Sequence, residues 1–226
     1  MYQDKIMLIT GASRGIGKVV ANYFSNLGVK VIITYHNDNN GDYYLDLCDE
    51  NSIKELANEI KNKYGKIDYL VNNAAISLDN YLFDKTKEEF MKVLETNVVG
   101  TFLMIKYFDS IVDGYIFNMS STDGIDTGSI YSIDYNASKS GINSLTKTFS
   151  LASSNKIISI CPNWVDTDST NNMDKDYLDS ELKRIKQDKL ISEITIPKVI
   201  DDCIKNNISS GSIIRIESDE CVRRID

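Results

Sequence analysis

The sequence predicts an α/β fold, with a doubly wound Rossmann-type parallel sheet flanked by helices in a single domain over residues 1–226. Short apolar runs that are typical of buried strands alternate with segments of helical periodicity along the whole chain. A glycine-rich turn separates the first apolar run from the first helix. Neither a repeat nor a linker interrupts this order, and 226 residues suffice to bury one sizeable core.

The chain opens with a βαβ unit. Residues 6–9 form a continuous apolar run, as expected for a strand that is buried on both faces. Apolar residues then recur at helical spacing as far as Gly28, and residues 29–34 predict a second buried strand. The order strand, tight turn, helix and strand defines the unit.

The link to the third predicted strand, at residues 43–45, is unusually short. Only residues 36–42 separate it from the second strand, whereas a parallel neighbour normally needs a crossover of about a dozen residues or more. The sequence therefore predicts that the usual helix is missing here or reduced to a loop. Ser52 is predicted to cap the next helix, with Glu55 completing a capping box.

The rest of the chain continues the alternation. Further strands are predicted at residues 67–71, 115–119, 157–160 and 213–216, and further helices at 87–108, 136–151 and 196–206. Residues 168–192 are polar, charged and aromatic, with weak helical character, and are interpreted as a mobile lid over a substrate pocket. Five apolar side chains there either line the pocket or anchor a surface helix: Met173, Tyr177, Leu178, Leu182 and Ile185.

Composition excludes several classes of function. The net charge of −8 argues against a protein that binds duplex nucleic acid, which needs a basic face. No apolar stretch approaches the length of a membrane span, and we expect no signal peptide before the first strand. The four scattered cysteines and the single histidine predict reduced thiols in a cytoplasmic protein, and no metal site.

The glycine-rich turn, TGASRGIG at residues 10–17, predicts a nucleotide site. Gly11, Gly15 and Gly17 allow the backbone to pass close to a pyrophosphate, whose charge meets the free N–H groups at the helix start. The spacing differs from the common G-x-G-x-x-G fingerprint, but the βαβ context is the one that the motif requires. The alternative is a glycine-rich turn that binds no ligand.

Residues near the end of the second strand favour NADP(H) over NAD(H). An NAD site usually carries an acid there that binds the ribose 2′-hydroxyl. Residues 34–36 (TYH) occupy that place instead, and Asp38 lies past it. Arg14 lies within the glycine turn and would bind a 2′-phosphate, with His36 as a further contact. Alternatively, Arg14 and Lys18 are solvated surface charges.

Tyr135 and Lys139 are candidates for acid/base chemistry. They lie four residues apart in the run YNASK and therefore share one face of a helix. The ammonium group is expected to lower the pKa of the phenol, which can then exchange a proton with an alcohol or alkoxide. Ser121 ends the fifth strand, where its hydroxyl can hold a substrate carbonyl. Ser120 and Tyr131 are the alternatives to Ser121 and Tyr135, although Tyr131 has no lysine four residues later.

Together these motifs resemble those of the short-chain dehydrogenase/reductase family, and in particular the 3-oxoacyl-carrier-protein reductases. The likeness covers nearly the whole chain and includes TGASRGIG at 10–17, NNAA at 72–75, TNV at 96–98, NMSS at 118–121 and YNASK at 135–139. Asp46 and Leu47 match the family segment that faces adenine. The run PNWVDT at 162–167 resembles P-G-x-x-x-T, with Asn163 in place of glycine. We expect this asparagine to adopt a positive φ.

The resemblance implies a catalytic set of Asn97, Ser121, Tyr135 and Lys139. Tyr135 would exchange the proton, Lys139 would lower its pKa and bind the nicotinamide ribose, Ser121 would polarise the carbonyl, and Asn97 would hold a water that relays protons. With Arg14 and His36 from the argument above, the expected cofactor contacts are Gly11, Ser13, Arg14, Gly15, Ile16, Gly17, His36, Asp46, Leu47, Asn73, Ala74, Tyr135, Lys139, Pro162, Val165 and Thr167. Alternatively, Asn97 only bends its helix and Thr167 only caps one.

The implied function is hydride transfer between NADP(H) and a small-molecule carbonyl or alcohol, with a 3-oxoacyl thioester among the candidate substrates and Tyr135 as the general acid/base. The cofactor supplies the hydride chemistry. The resemblance also implies a homodimer or homotetramer. Two alternatives stay open: a non-catalytic NADP-binding sensor or interaction protein on the same fold, and an isomerase or epimerase that uses transient oxidation.

Overall fold

The computed structural model describes residues 1–37 and 40–225. Within these residues, one eight-stranded sheet has the order β3-β2-β1-β4-β5-β6-β7-β8. Its strands are β1 (Ile6–Ile9), β2 (Lys30–Tyr35), β3 (Tyr43–Tyr44), β4 (Ile67–Asn72), β5 (Val112–Met119), β6 (Lys156–Pro162), β7 (Ile213–Ile216) and β8 (Val222–Ile225). All pairings among strands β1 to β7 are parallel. The predicted doubly wound, Rossmann-type fold is therefore confirmed.

The helices follow the predicted alternation. They are α1 (Gly15–Asn26), α2 (Glu50–Tyr64), α3 (Lys87–Leu94), α4 (Gly100–Phe108), α5 (Ile133–Phe149), α6 (Asp168–Asn171), α7 (Lys175–Arg184) and α8 (Thr195–Lys205). A π-helical segment, Glu95–Val99, joins α3 to α4 in the long helix predicted for residues 87–108. Asn97 lies in this segment, and π-helical turns inside longer helices are frequent at functional sites.

Apolar side chains fill a layer on each face of the sheet. Met7 and Ile9 of β1 pack in one cluster with Phe24 of α1. Leu8, the residue between them, packs in the other cluster with Leu56 of α2 and other residues. Successive strand side chains point to opposite faces, so a strand covered on both sides is apolar without interruption. This is why the strands could be recognised as continuous apolar runs.

The last strand departs from the predicted parallel sheet. β8 runs antiparallel to β7, with Ile216 paired to Val222. The prediction missed this strand because VRRI is not an apolar run: Val222 is exposed and two arginines follow it. Charged side chains of this kind are common on edge strands, where they discourage pairing with other chains.

The short link between β2 and β3 is confirmed. The two strands pair in parallel, with Thr34 opposite Tyr43, and the described residues of the link form no helix. Asp42 holds the returning chain against β2, because its N–H donates to the Ile33 carbonyl at 2.8 Å and its carboxylate accepts the Ile33 N–H at 2.9 Å. Asp38 lies outside the described residues.

The predicted start of α2 is wrong. Asp49 is the N-cap and accepts a first-turn N–H through its side chain, so the helix begins before Ser52. Ser52 instead accepts the N–H of Asp46 at 3.0 Å. Aspartate caps as well as serine does, and here the earlier residue takes that role. A complete capping box is found at the start of α3, between Thr86 and Glu89.

Two features of the described residues bear on the function. No helix among them combines the length and the apolar character needed to cross a membrane. Nor do these residues include a group of three histidine, cysteine, aspartate or glutamate side chains that could hold a metal ion. Cys48, Cys161, Cys203 and Cys221 are all free.

Candidate active site

The glycine turn and the segment after β4 form one hydrogen-bonded unit. Gly11 and Gly15 have φ of 65° and 54°, in the left-handed region that favours glycine. The Thr10 hydroxyl oxygen accepts the backbone N–H groups of Asn73 and Ala74, each at 3.0 Å. In return, the Asn73 side-chain amide donates to the carbonyls of Thr10 and Gly11, also at 3.0 Å. Asn73 therefore holds the turn in shape.

Close packing explains two of the three glycines. A Cβ on Gly17 would lie 2.6 Å from the Gly11 carbonyl oxygen and 2.5 Å from Asn73 Nδ2, and a Cβ on Gly11 would lie 2.8 Å from that of Ala74. A Cβ on Gly15 would meet no described atom within 4 Å. The space beside the Gly15 Cα is therefore open. It lies at the start of α1, where N–H groups and the helix dipole favour a phosphate.

The first turn of α1 fits an anionic group in a second respect. It carries no acidic residue, and its N-cap residue, Arg14, makes no side-chain cap bond to any described residue. Arg14 is exposed, and within residues 1–37 and 40–225 it forms no ion pair with a carboxylate. Ser13 and Ile16, the other predicted contacts in the turn, are half-buried. The residues present therefore fit a nucleotide pyrophosphate, and Arg14 is available for a further phosphate.

His36 and Asp46 lie together beyond the ends of β2 and β3. His36 Nε2 is 3.8 Å from Asp46 Oδ2, and the His36 ring stacks on Tyr44 with centroids 5.9 Å apart. Leu47 packs against the start of α4, since a Cβ on Gly100 would lie 2.9 Å from the Leu47 Cβ. The structure thus brings His36 and Asp46 together from two successive loops, while Leu47 lies against α4.

Three predicted catalytic residues converge at the end of β5. Lys139 is buried, its Nζ donates to the Met119 carbonyl at 2.6 Å, and this nitrogen lies 5.1 Å from the centroid of the Tyr135 ring. The Ser121 hydroxyl lies close enough to the Tyr135 phenol to lower its pKa. Ser120 donates to the Lys139 carbonyl at 2.9 Å and so ties β5 to α5. Ser121, rather than Ser120, therefore faces the tyrosine.

Burial shifts the pKa of both members of the Tyr135/Lys139 pair. It raises the pKa of the Tyr135 phenol, the Asp123 carboxylate raises it further, and Ser121 opposes both effects. Tyr135 as a whole is half-buried. Burial also lowers the pKa of Lys139 to about 8. The pKa of Tyr135 is therefore raised rather than lowered in these contacts, because desolvation of the phenolate is the largest effect. A lowering of this pKa by Lys139 stays a prediction.

Asn97 joins the segment after β4 to α5. Its side-chain amide donates to the Ile76 carbonyl at 2.9 Å and to the Ser138 hydroxyl at 3.0 Å, while its oxygen accepts the Ile76 N–H at 2.9 Å. Ser138 in turn donates to the Tyr135 carbonyl at 2.8 Å. These bonds link Asn97 to the backbone of the tyrosine. The water relay to Lys139 stays a prediction.

The segment after β6 holds the last predicted cofactor contacts. Pro162 ends β6, and Val165 forms a parallel bridge with Ile191. Thr167 is the N-cap of α6, and its hydroxyl oxygen accepts the N–H of Thr170. The structure thus gives Thr167 the capping role that was one of its two interpretations. Contact of these residues with a cofactor stays a prediction.

Asn163 does not adopt the positive φ that was expected. Outside glycine, the described residues with positive φ are Asp4, Lys186 and Asn207. The Asn163 side-chain oxygen accepts a hydrogen bond from the Thr122 hydroxyl. The backbone N–H of Asn163 donates to the Ile216 carbonyl at 2.9 Å. The side chain therefore makes a bond that glycine could not make, and this backbone position does not need glycine.

Helix α7, in the predicted lid, lies against the loop between Ser121 and Tyr135. Arg184 pairs with the buried Glu181 at 2.7 Å and donates to the Thr127 carbonyl at 2.8 Å. The Tyr177 ring meets that of Tyr131 edge-on, with centroids 5.9 Å apart. The five apolar side chains assigned to a pocket wall or a helix anchor are all half-buried: Met173, Tyr177, Leu178, Leu182 and Ile185.

Sequence reasoning missed several charged groups around Tyr135. Asp123 raises its pKa, and Lys85 forms a buried ion pair with Asp134, the residue before the tyrosine. Proximity in sequence to Ser121 and Tyr135 was the one available signal for Asp123 and Asp134. Lys85 and Glu181 had none, because no spacing rule relates them to the motifs.

Comparison with known proteins identifies the family. The model of the short chain dehydrogenase family matches residues 5–178. This chain belongs to the short-chain dehydrogenase family. Its relatives in the family include the 3-oxoacyl-[acyl-carrier-protein] reductase FabG of Thermotoga maritima, which is 32% identical over 205 residues, or 81% of this chain and 83% of that protein. The FabG of Escherichia coli is 29% identical over 84% of this chain and 85% of its own length.

Solved structures of the same fold agree. The solved structure of ElxO with NADP bound has a TM-score of 0.83 and 30% sequence identity, covering 94% of this chain and 96% of that one. Levodione reductase has a TM-score of 0.86 at 21% identity, covering 96% of this chain and 97% of its own, and so shows the fold alone. The chain is thus a short-chain dehydrogenase family member of the oxidoreductase type, similar to FabG.

Proposed function

We propose that this chain is an NADP(H)-dependent oxidoreductase acting on the carbonyl or CH–OH group of a small molecule, with Tyr135 as general acid/base. One observation carries the proposal: the Lys139 nitrogen lies 5.1 Å from the centroid of the Tyr135 ring, beside Ser121 at the carboxyl end of β5. Ligands of open α/β sheets bind at this edge. When bound, the nicotinamide supplies the hydride chemistry.

The chain's own residues manage one proton and the orientation of the substrate. Because its pKa is raised, the Tyr135 phenol is protonated at neutral pH, and this form can donate to a developing alkoxide. Ser121 polarises the carbonyl. Lys139, with a pKa of about 8, binds the nicotinamide ribose and exchanges protons with Tyr135. Asn97 holds the water that relays protons to Lys139.

NADP(H) is proposed in preference to NAD(H). Residues of the glycine turn hold the pyrophosphate, and Asn73 borders the cofactor ribose. Arg14 and His36 bind the 2′-phosphate, while Asp46 and Leu47 face adenine. Thr167 orients the nicotinamide amide or the pyrophosphate, and Ala74, Pro162 and Val165 are further cofactor contacts. The NADP-bound state of ElxO supports this choice. The FabG relatives make a 3-oxoacyl thioester a candidate substrate.

We also propose that residues 168–192 of this single domain form a substrate lid, and that the chain forms a homodimer or homotetramer. Three apolar side chains of the long helix support the second proposal, since Met91, Val99 and Phe102 are exposed there. The four free thiols are consistent with a cytoplasmic protein.

Substitution of Tyr135 tests the proposal. Purified protein is assayed for NADPH oxidation with a panel of carbonyl compounds that includes 3-oxoacyl thioesters. Tyr135→Phe keeps the ring but removes the proton, so we expect kcat to fall by about 10²–10⁴-fold, with the NADPH Kd unchanged. Tyr107→Phe, on α4 and bonded to Glu50, serves as the control and should retain wild-type kcat.

Three results would contradict the proposed function. A Tyr135→Phe variant that keeps most of the wild-type rate would show that another group supplies the proton. Tight NADPH binding without turnover of any compound would favour a sensor or interaction protein on this fold. NADP that stays bound through purification would instead point to an isomerase or epimerase.

A further inference from the structure

A buried ion pair lies next to Tyr135 and has no part in the roles given above. Lys85 Nζ is 3.0 Å from Asp134 Oδ2, and the two side chains are 3% and 0% exposed. At this short distance Oδ2 still makes no hydrogen bond of acceptable geometry to any described residue, so Lys85 acts on it as a charge. Desolvation of a buried pair can cancel its attraction. Stability alone is therefore a poor explanation for the pair.

Asp134 connects the pair directly to the catalytic tyrosine. Its Oδ1 accepts the backbone N–H of Tyr135 at 2.9 Å. Ser132, the N-cap of α5, makes no side-chain cap bond to a described residue. Asp134 therefore supplies an acceptor in the first turn, where helix N–H groups lack intrahelical partners and the dipole favours a carboxylate.

Lys85 connects the pair to the loop that follows β4. It donates a hydrogen bond to the Leu78 carbonyl and immediately precedes Thr86, the N-cap of α3. A second link runs between the same two regions, since the Asn80 N–H donates to the Tyr131 carbonyl at 2.9 Å. The loop at residues 78–86 is therefore held against the start of α5 by a buried charge pair and by a backbone hydrogen bond.

We propose that Lys85 and Asp134 are positioning residues for the reaction, because they fix the first turn of α5 and thereby the direction of the Tyr135 phenol relative to Ser121 and Lys139. This inference rests on the proposed function. A displacement of about 1 Å at a reacting group can cost about 10²-fold in rate. The glycine turn lies on other elements, so loss of the pair should lower kcat and leave NADPH affinity intact.

Five proteins test the proposal: the wild type, Lys85→Met, Asp134→Leu, the double variant with both substitutions, and Lys85→Arg. For each, kcat and KM are measured together with the NADPH Kd by fluorescence and the urea midpoint of unfolding. Each Met or Leu single variant leaves one buried charge unpaired, so kcat and the urea midpoint should both fall. Lys85→Arg keeps the positive charge beside Asp134 and should therefore retain more of the wild-type kcat than Lys85→Met does.

The double variant separates positioning from folding. It buries no charge, so its urea midpoint should return toward that of the wild type. The Tyr135 N–H has lost its acceptor, however, so kcat should stay at least about tenfold low with an unchanged NADPH Kd. Lys205→Met serves as a control at a second Lys–Asp pair, of 2.7 Å on α8 and with a buried Asp201, and kcat should stay the same in it.

Recovery of both kcat and the urea midpoint in the double variant would overturn the positioning role. In that case the pair would serve the fold alone. Failure of the proposed function looks different: the wild type shows no turnover, or Tyr135→Phe is as active as the wild type. That result would overturn the reaction assigned to the site and the positioning role with it.

Discussion

The nucleotide side and the substrate side of the candidate site are held in place by different kinds of contact. On the nucleotide side, the glycine turn at residues 10–17 is held by backbone groups and by the short side chains of Thr10 and Asn73. On the substrate side, long side chains make the contacts, as in the Lys85–Asp134 pair and the bond from Arg184 to the Thr127 carbonyl. One side is mainly backbone geometry, and the other is mainly side-chain charge and packing.

This difference decides what a sequence can reveal. A close backbone approach requires glycine at fixed spacing, so the nucleotide side leaves a readable pattern. The side-chain contacts of the substrate side require no fixed residue type or spacing: Arg184 reaches the Thr127 carbonyl across 57 positions of the chain. No local pattern marks such a contact. The predictions below test whether the two sides also differ in how they respond to substitution.

The largest effect is expected for Gly17→Ala. The new Cβ would lie 2.6 Å from the Gly11 carbonyl oxygen and 3.0 Å from the Ala12 Cα, and backbone atoms cannot move aside as the end of a side chain can. We expect the free energy of unfolding to fall by about 2–4 kcal/mol. We also expect the NADPH Kd to rise by about 100-fold, as measured by fluorescence titration and urea unfolding.

Gly28→Ala is the matched control for this substitution. Gly28 has a φ of 90°, but a Cβ there would meet no described atom within 4 Å. It should therefore show only the cost of backbone strain, about 1–3 kcal/mol, with the NADPH Kd unchanged. If Gly17→Ala leaves the Kd unchanged as well, the turn does not hold the cofactor in the way proposed.

Arg14→Ser should have a smaller and more selective effect. Arg14 is exposed and forms no ion pair with a described carboxylate, so its loss should leave the urea midpoint unchanged. Loss of a charge-assisted contact to the 2′-phosphate should raise the KM for NADPH by about 10–100-fold and leave the KM for NADH nearly unchanged. Lys18→Ser provides the comparison for an exposed cation outside the turn. Equal effects on both cofactors would contradict the proposed preference for NADP(H).

Much of the fold could be predicted from the sequence, because strands covered on both faces are apolar without interruption. The seven parallel strands and the short link after β2 were recognised in this way. The start of α2 was misplaced because Asp49 competes with Ser52 as the cap. Strand β8 was missed because an edge strand that carries arginines has no apolar run to reveal it.

The candidate site was predicted in part. Ser121, Tyr135 and Lys139 were found because their spacing places them at one edge of the sheet and on one helix face. Their electrostatics could not be predicted, because burial and Asp123 raise the pKa of Tyr135. The hydrogen bonds of Asn97 and Asn163 could not be predicted from the sequence either, because each depends on a partner that only the folded chain brings close.

The smallest expected effect is that of Asp123→Asn, which tests the electrostatics of the substrate side. The Asp123 carboxylate raises the pKa of Tyr135, as do Cys161 and Asp79, whereas Ser121 lowers it. Removal of the Asp123 charge should therefore lower the pKa of Tyr135. Alcohol oxidation uses the phenolate as base, so the rising limb of its kcat profile should move to lower pH.

The same substitution should also move the reverse reaction in a defined direction. Carbonyl reduction uses the protonated phenol of Tyr135, so the falling limb of its kcat profile should shift to lower pH by the same amount. Asp126→Asn is the control, because Asp126 is exposed in the same loop and paired with Arg215 at 2.7 Å. Its profiles should match those of the wild type. A profile that stays in place in Asp123→Asn, or moves to higher pH, would show that Asp123 does not set the protonation of Tyr135 during turnover.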